Sequence, residues 1–302
     1  MSEGFDVVVI GGGPAGLSAA LNLVRARQRV LVLDGNRPRN AATLNSHGFL
    51  TRDGVSPLEL RKLGREEVDG YEDAEVQFAR VTRVSAHDDG FRVEAEGIRG
   101  SADRDVLTRR VLVATGLTET LPAIGNMRAF YGTALHSCYE CDGYEKAGEQ
   151  LAIIGESDDL AERALLATVW SNDVIVFTNG VANVSDSDER MLSARNIPVE
   201  RREVAEFVGD RGQLTGLRLV DGTVVARTAG FVRPLWHATH SYLNGLQPAT
   251  DDLGLLLVDA GGRTSVPGLY AAGDITPPGP EQLIVAAGAG AQVSAAIVRD
   301  SI

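Results

Sequence analysis

The chain has 302 residues, of which 44% are hydrophobic, and this length predicts two domains with cores of ordinary size. The formal net charge of −12 argues against a nucleic-acid partner, because the neutralisation of phosphates dominates that kind of affinity. The sequence lacks a basic stretch followed by an apolar one at its start, and no apolar run approaches the ~20 residues that a membrane-spanning helix needs. We therefore expect a cytoplasmic protein that binds neither nucleic acid nor membrane.

The first predicted elements form a strand, a glycine loop, a helix and a second strand. The apolar run 7–10 predicts a buried strand, the helix is expected over 17–27, and the second strand over 30–33 ends at Asp34. Between the first strand and the helix lies Gly11-Gly12-Gly13-Pro14-Ala15-Gly16, a Gly-x-Gly-x-x-Gly pattern. In this context the pattern predicts a dinucleotide site. Gly11 would form the tight turn, Gly13 would let the backbone approach a pyrophosphate, and Gly16 would let the helix pack closely on the strand. Asp34 would accept hydrogen bonds from a ribose.

Further strands are predicted before the middle of the chain. Residues 76–78 through 92–95 alternate apolar and polar side chains, as antiparallel strands do. Residues 110–113 form another apolar run, which predicts a buried strand that ends at the turn Ala114-Thr115-Gly116.

The two cysteines of the chain stand three positions apart, as Cys138-Tyr139-Glu140-Cys141. Two thiols at this spacing can close a short redox-active disulfide. The alternative is half of a zinc site, but zinc takes four ligands and neither a second Cys-x-x-Cys nor a His-x-x-x-His follows. The motif therefore favours redox chemistry, and we expect no metal.

A shift of 144 residues brings the first unit into register with a second one. Residues 151–155 and 174–177 correspond to the two strands, but Ser157, Leu160 and Thr178 replace Gly13, Gly16 and Asp34. The carboxylates of Glu156-Ser157-Asp158-Asp159 would repel a pyrophosphate. The pattern predicts a nucleotide-binding fold that has lost its nucleotide, although a divergent loop that still binds NAD(P)H stays open.

The last third of the chain predicts more strands over 199–225 and a helix over 283–298. The helix is rich in alanine and glycine, which permits close approach to a neighbouring element or to a ligand at its N-terminal end. Both interpretations stay open at this point.

Together these motifs resemble the low-molecular-weight thioredoxin reductase family of flavoproteins, and the resemblance runs from end to end. It implies an α/β fold with two Rossmann-like, three-layer ββα dinucleotide-binding domains. The FAD-binding domain would be discontinuous, formed by residues 1–115 and 246–302. Residues 116–245 would form an NAD(P)H-binding-like domain that carries the Cys-x-x-Cys.

The resemblance also implies which residues hold FAD. The glycine fingerprint, the Ala-Thr-Gly motif, a second FAD motif and the segment along the flavin contribute. His47 is a flavin neighbour, an acid–base residue or a structural residue. The implied set is Gly11, Gly13, Pro14, Ala15, Gly16, Asp34, His47, Ala114, Thr115, Gly116, Gly273, Asp274, Gln282, Leu283 and Ile284. A second place for the substrate is the stretch 236–240, which is otherwise a linking loop.

For the chemistry, the resemblance implies that Cys141 faces the flavin and that Cys138 exchanges with the substrate sulfur. Asp142 is expected to be the acid or base for the exchanged proton. His136 is the competing candidate, because histidine titrates near neutral pH, and its alternative is a packing role.

The departures from the family decide the predicted function. Members that use NADPH have an intact second fingerprint and a His-Arg-Arg, where this chain has Thr178-Asn179-Gly180. Two branches share the loss: reductases that take electrons from ferredoxin, and dithiol oxidases that pass electrons through FAD to oxygen. The stretches 45–54, 143–145 and 230–234 resemble the dithiol oxidases, although these often have histidine in place of Asp142.

We therefore predict an enzyme, an FAD-dependent dithiol–disulfide oxidoreductase of the dithiol oxidase type, that acts on a small dithiol or disulfide or on a thioredoxin-like protein. The alternatives are an NAD(P)H-dependent or ferredoxin-dependent thioredoxin reductase, and a flavin redox sensor without turnover. Relatives are usually homodimers, so a homodimer is expected.

Overall fold

The computed structural model describes residues 4–302 and divides them into two compact units. The first unit comprises the chain up to Ala41 together with Gly48–Thr118 and His237–Ile302, so it is discontinuous in sequence. The second unit comprises Ala42–His47 and Glu119–Trp236. The strands in which the chain passes between the units, β6 (Leu117–Thr120) and β15 (Leu235–Ala238), pair with each other.

A parallel sheet forms the centre of the first unit. Its strands are β1 (Gly4–Ile10), β2 (Val30–Asp34), β3 (Ala74–His87), β5 (Arg104–Val113) and β16 (Leu269–Ala271). Strand β1 lies between β2 and β5, with Val7 opposite Val30 on one side and Arg110 on the other. Val7, Val8 and Val9 are fully buried, because helices cover one face of the sheet and further strands cover the other.

Two of these strands are long enough to belong to a second layer. The outer parts of β3 and β5 pair antiparallel with β4 (Gly90–Gly97), which lies between them. This three-stranded layer encloses one hydrophobic core with the parallel sheet, around Phe5, Val8, Phe91 and Val93. The alternation of residues 76–95 predicted these strands, and the structure confirms them.

Helices α1 (Pro14–Arg25) and α7 (Leu283–Arg299) pack on the opposite face of the sheet and enclose a second core. The two helices can approach closely because Gly290 has no side chain: a Cβ at this position would overlap the carbonyl oxygen of Ala15. Helix α1 begins earlier than predicted, because Pro14 suits the first helical turn, and it ends at Arg25, because Arg27 has a φ of +65°.

A third helix of this unit, α2 (Pro57–Asp69), was missed by the sequence analysis. Its start has a clear signal, because the Ser56 hydroxyl accepts a hydrogen bond from the Glu59 backbone N–H, and Ser-x-x-Glu followed by Pro at the first position is typical of a helix N-terminus. Short 3-10 turns occupy Arg39–Ala42 and Ser241–Leu243.

The second unit repeats the architecture. Its parallel sheet has the order β10 (Val199–Glu200), β9 (Val174–Phe177), β8 (Leu151–Gly155), β14 (Ala229–Arg233) and β7 (Leu135–His136). The helices are α3 (Met127–Phe130), α4 (Tyr139–Asp142), α5 (Leu160–Ala167) and α6 (Asp186–Ser193), with a 3-10 turn at Tyr144–Lys146. The second layer is the antiparallel set β11 (Val204–Asp210), β12 (Gln213–Leu219) and β13 (Val224–Ala226).

The predicted α/β class with two Rossmann-like, three-layer ββα units is therefore confirmed. The predicted domain limits, 1–115 with 246–302 and 116–245, stay a prediction. Across residues 4–302, the structure contains no helix that combines the length and the apolar character of a membrane span.

Candidate active site

The two cysteines form a disulfide in the second unit. Cys138 directly precedes α4 and Cys141 lies within it, with the two Cα atoms 5.3 Å apart. Both residues are partly exposed, so a substrate sulfur can reach them. Among residues 4–302, no group of three His, Cys, Asp or Glu side chains is arranged to hold a metal ion.

Tyr139 anchors the disulfide segment to the core of this unit. Its ring is 2% exposed, stacks on Trp170 with the centroids 5.8 Å apart, and contacts Phe231 at 4.3 Å. Arg163 lies over the same ring at 4.9 Å and donates a hydrogen bond to the Ser137 carbonyl. Burial raises the pKa of the Tyr139 hydroxyl above its ordinary value, so this side chain is a neutral support and not an acid.

The two candidate acid–base residues, His136 and Asp142, contact each other. His136 Nδ1 lies 2.9 Å from Oδ1 of Asp142, and both side chains are buried. His136 Nε2 lies 2.8 Å from the Thr133 carbonyl oxygen, which only accepts, so Nε2 carries a proton and donates it. The Nδ1–Oδ1 contact then holds one further proton, either on the imidazole or on the carboxyl group.

Other charged groups surround this pair and the disulfide. Lys146 Nζ donates to the same Thr133 carbonyl at 2.7 Å, which fixes the carbonyl against the imidazole. The backbone N–H of Asp142 donates to the Cys138 carbonyl. The exposed Glu140 carboxylate lies 3.8 Å from Sγ of Cys138.

The first unit contains a cavity of about 640 Å³ at the carboxyl ends of its parallel strands. In open α/β sheets this edge is where ligands bind, and the volume is in the range of ligand sites. Most of the residues predicted to hold FAD line it: Gly11, Gly13, Pro14, Ala15, Asp34, Ala114, Thr115, Gly116, Gly273, Asp274 and Leu283.

The remaining predicted residues lie elsewhere. Gly16 lies beneath the loop, where a Cβ would overlap the Gly11 carbonyl oxygen. Gln282 precedes α7 with its side chain towards Gly48, and Ile284 is exposed on the first turn of α7. His47 belongs to the second unit, where Nδ1 lies 3.6 Å from Oε1 of Glu145.

The glycine loop leaves space at one position. Gly11 has a φ of +112°, and a Cβ there would overlap the Ala114 carbonyl, so the turn requires glycine. Gly13, by contrast, has extended backbone, and a Cβ built on it meets no atom within 4 Å. Gly13 therefore faces open space in the cavity wall.

The two predicted acidic residues of the cavity are each paired with an arginine that the sequence analysis missed. Nη2 of Arg61 lies 2.9 Å from Oδ2 of Asp34, and Nη2 of Arg39 lies 2.8 Å from Oδ2 of Asp274. Tyr242, also missed, lines the cavity, and burial raises the pKa of its hydroxyl above the ordinary value. These features of the cavity suit FAD: the turn at Gly11 and the open space at Gly13 leave room for a pyrophosphate, and the two paired carboxylates can accept hydrogen bonds from hydroxyl groups.

From the stretch 236–240, which was considered as a substrate contact, only Thr239 lines this cavity. His240 Nε2 makes a hydrogen bond to the Gly254 carbonyl at 2.9 Å, so this imidazole has a structural contact.

In the second unit, the carboxylates of the loop that corresponds to the glycine fingerprint accept hydrogen bonds from other residues of the same unit. Asn179 donates to Glu156, the backbone N–H of Asn183 donates to Asp158, and Arg233 donates to Asp159, at 2.8, 2.9 and 2.7 Å. Leu160 is fully buried and begins α5.

The two arginines beside this loop, Arg201 and Arg202, also form ion pairs with carboxylates. Arg201 follows β10, whose carboxyl end lies next to that of β9, and it forms two hydrogen bonds with the Glu189 carboxylate. Arg202 pairs with Glu200 and with Asp221. Both guanidinium groups are thus held by carboxylates of the second unit.

Comparison with known proteins places the chain in a family. The family profile "Pyridine nucleotide-disulphide oxidoreductase" matches residues 5–290. Thioredoxin reductase from Streptomyces coelicolor is 30% identical over 308 residues, which cover 96% of this chain and 92% of that protein. The chain spans about half the length of several other curated relatives, 50% for one from Arthroderma benhamiae and 56% for one from Arabidopsis thaliana.

Solved structures agree. The crystal structure of TrxB from Bacillus anthracis has a TM-score of 0.91 and 36% identity, covering 98% of each chain. The crystal structure of HlmI has a TM-score of 0.91 and 38% identity, covering 100% of this chain and 94% of that one. The chain belongs to the pyridine nucleotide-disulphide oxidoreductase family and is similar to FAD-binding thioredoxin reductases.

Proposed function

We propose that the protein is a dithiol oxidase: it takes two electrons from a dithiol through the Cys138–Cys141 disulfide, passes them to FAD and then to oxygen, and does not use NADPH in the usual way. The observation that carries this proposal is the second nucleotide loop, whose carboxylates are bonded inside the second unit.

The electrostatics of that loop argue against a bound pyrophosphate. Glu156, Asp158 and Asp159 place three negative charges at the turn where the first unit has glycines. A 2′-phosphate would need a cation after β9, and the arginines nearest in the topology, Arg201 and Arg202, are paired with carboxylates. These are exposed pairs that cost little to break, so the three carboxylates of the loop carry most of the argument against NADPH.

We assign FAD to the cavity of the first unit. Gly11 and Gly13 would let the backbone approach the pyrophosphate, Asp34 would accept from the adenosine ribose, and Asp274 would accept from the ribityl chain. FAD, when bound, supplies the acceptor for the two electrons that the reduced cysteine pair carries.

The exchange itself uses the cysteines in fixed roles. A substrate thiolate attacks Sγ of Cys138, the Cys138–Cys141 bond breaks, and Cys141 leaves as a thiolate while a mixed disulfide forms. The second substrate thiol then attacks the substrate sulfur of that mixed disulfide and releases Cys138. The substrate is thereby oxidised to a disulfide, and the cysteine pair is reduced by two electrons.

The His136–Asp142 pair donates and accepts the proton that this exchange transfers. The second substrate thiol must lose a proton to attack, and Cys138 takes up a proton when it is released as a thiol. Since the pair holds one proton between Nδ1 and Oδ1, it can give that proton to Cys138 and take one back from the substrate. Asp142 and His136 thus act as one unit instead of as rivals.

We expect Asp142→Asn and His136→Gln each to slow disulfide exchange by about 100-fold, because positioned acid–base groups contribute 10²–10⁴-fold. The measurement is the rate at which dithiothreitol reduces the holoenzyme in stopped flow, as a function of pH. The two variants should share one altered pH–rate profile, because either change removes the same Nδ1–Oδ1 contact. Glu145→Gln, an exposed carboxylate four positions after Cys141, is the matched control and should keep the wild-type profile.

A second candidate is a thioredoxin reductase that acts on a thioredoxin-like protein, which the Streptomyces coelicolor relative favours. Its electron donor would be NAD(P)H or ferredoxin. Oxygen-uptake measurements separate the two functions: a dithiol oxidase consumes oxygen with dithiothreitol alone, whereas NADPH and NADH support no uptake. Uptake with NADPH would defeat the proposal. The homodimer and the cytoplasmic location stay predictions.

A further inference from the structure

Helix α2 carries Arg61, whose guanidinium group donates hydrogen bonds to two side chains in the wall of the cavity. We propose that Arg61 is a positioning residue that holds the Asp34 carboxylate in the orientation that recognises the two hydroxyls of the adenosine ribose of FAD. This inference rests on the assignment of FAD to this cavity. It concerns Arg61, a residue for which neither the motif nor the family resemblance predicted a role.

The contacts of Arg61 define its role. One guanidinium nitrogen, Nη2, lies 2.9 Å from Oδ2 of Asp34 and 2.9 Å from Oδ1 of Asn36. The side chains of Arg61 and Asp34 are 7% and 8% exposed, so the ion pair is shielded from water. Such a pair depends on both partners, because removing one leaves a buried charge uncompensated.

Two hydrogen bonds hold Asp34. Arg61 donates to Oδ2 and the backbone N–H of Asn36 donates to Oδ1 at 2.8 Å, and the Gly12 backbone lies close by, since a Cβ on Gly12 would lie 2.6 Å from Oδ2. The carboxylate therefore rests on the glycine loop in one orientation. An ionised carboxylate has about four acceptor sites, so two stay available on the side that lines the cavity.

Two acceptor sites of one fixed carboxylate suit a vicinal diol. Without Arg61, the carboxylate would lose one of its two hydrogen bonds and the arginine that is paired with it directly. The neighbouring arginines have other contacts: Arg39 pairs with Asp274, and Arg65, one turn later on α2, lies over the Phe78 ring at 5.3 Å while it interacts with Asp34 electrostatically. Arg61 is the one that donates a hydrogen bond to the carboxylate at 2.9 Å.

The test compares two ligands on the full-length protein after removal of its flavin. FAD and its analogue with 2′-deoxyadenosine differ only by one ribose hydroxyl, and their dissociation constants are measured by quenching of flavin fluorescence. We expect the wild type to bind FAD about tenfold more tightly than the analogue, because a hydrogen bond to a charged group has about this value. In Arg61→Met this ratio should fall to about one.

The controls separate positioning from general damage. Arg61→Lys keeps the charge and should restore part of the ratio. Arg227→Met removes another buried arginine, which pairs with Asp173 in the second unit, and should keep the full ratio. A variant Arg61→Met that binds both ligands more weakly but keeps the tenfold ratio would overturn the inference. A wild-type protein that binds no FAD would overturn the assignment of the cavity itself.

Discussion

Replacing either Cys138 or Cys141 with serine is expected to abolish the oxidation of a dithiol while the protein stays yellow. The disulfide lies in the second unit, whereas the cavity assigned to FAD is lined by residues of the first unit, so loss of a thiol should not release the cofactor. Turnover needs both sulfurs, because one forms the mixed disulfide and the other is the leaving group. The measurement is oxygen uptake with dithiothreitol, alongside the visible absorption of the purified variants.

The two cysteine variants should also differ from each other. In Cys141→Ser, the exchanging thiol of Cys138 is still present and should form a stable mixed disulfide with a small disulfide reagent, detectable by mass spectrometry. In Cys138→Ser, adduct formation at Cys141 should be slower. Ser137→Ala, a change next to Cys138 that keeps both thiols, is the control. Full turnover in either serine variant would contradict the mechanism.

Gly13→Val is expected to weaken FAD binding by about 10- to 100-fold without unfolding the protein. The added side chain meets no protein atom within 4 Å of its Cβ, and the extended backbone of Gly13 accepts valine. It would instead occupy the space proposed for the pyrophosphate, and overpacking a site costs about 1–3 kcal/mol. Flavin content and the melting temperature of the flavin-free protein measure the two effects separately.

Two other glycines provide the comparison. Gly245→Val also adds a side chain in open space, but Gly245 lies outside the cavity lining, so FAD binding should not change. Gly16→Ala should lower the melting temperature, because its Cβ would overlap the Gly11 carbonyl. If Gly13→Val bound FAD like the wild type, the pyrophosphate would not pass this loop.

The architecture could be predicted because it depends on local patterns. The apolar run before Gly11, the glycine spacing and the strand that ends at Asp34 all lie within one stretch of chain, and the shift of 144 residues revealed the second unit. Helix α2 was missed although Ser56 and Glu59 signal its start, because only Pro57, Arg61 and Val68 of this polar helix are buried and no apolar period marks it.

The side-chain pairs of the site could not be predicted in the same way. Arg39 and Asp274 are 235 positions apart, and Arg61 and Asp34 are 27 apart, so only the folded chain brings them together. The relation between His136 and Asp142 was also open, since the sequence offered them as competitors. Their contact at 2.9 Å depends on where β7 ends relative to α4, which no local pattern specifies.

The most direct test of the account is an anaerobic titration of the purified yellow protein, followed through the visible absorption of its flavin. We expect NADPH and NADH to leave the absorption unchanged, dithiothreitol to bleach it, and air to restore it. Rapid bleaching by NADPH would contradict the central claim, because the second nucleotide loop would then deliver hydride despite its bonded carboxylates.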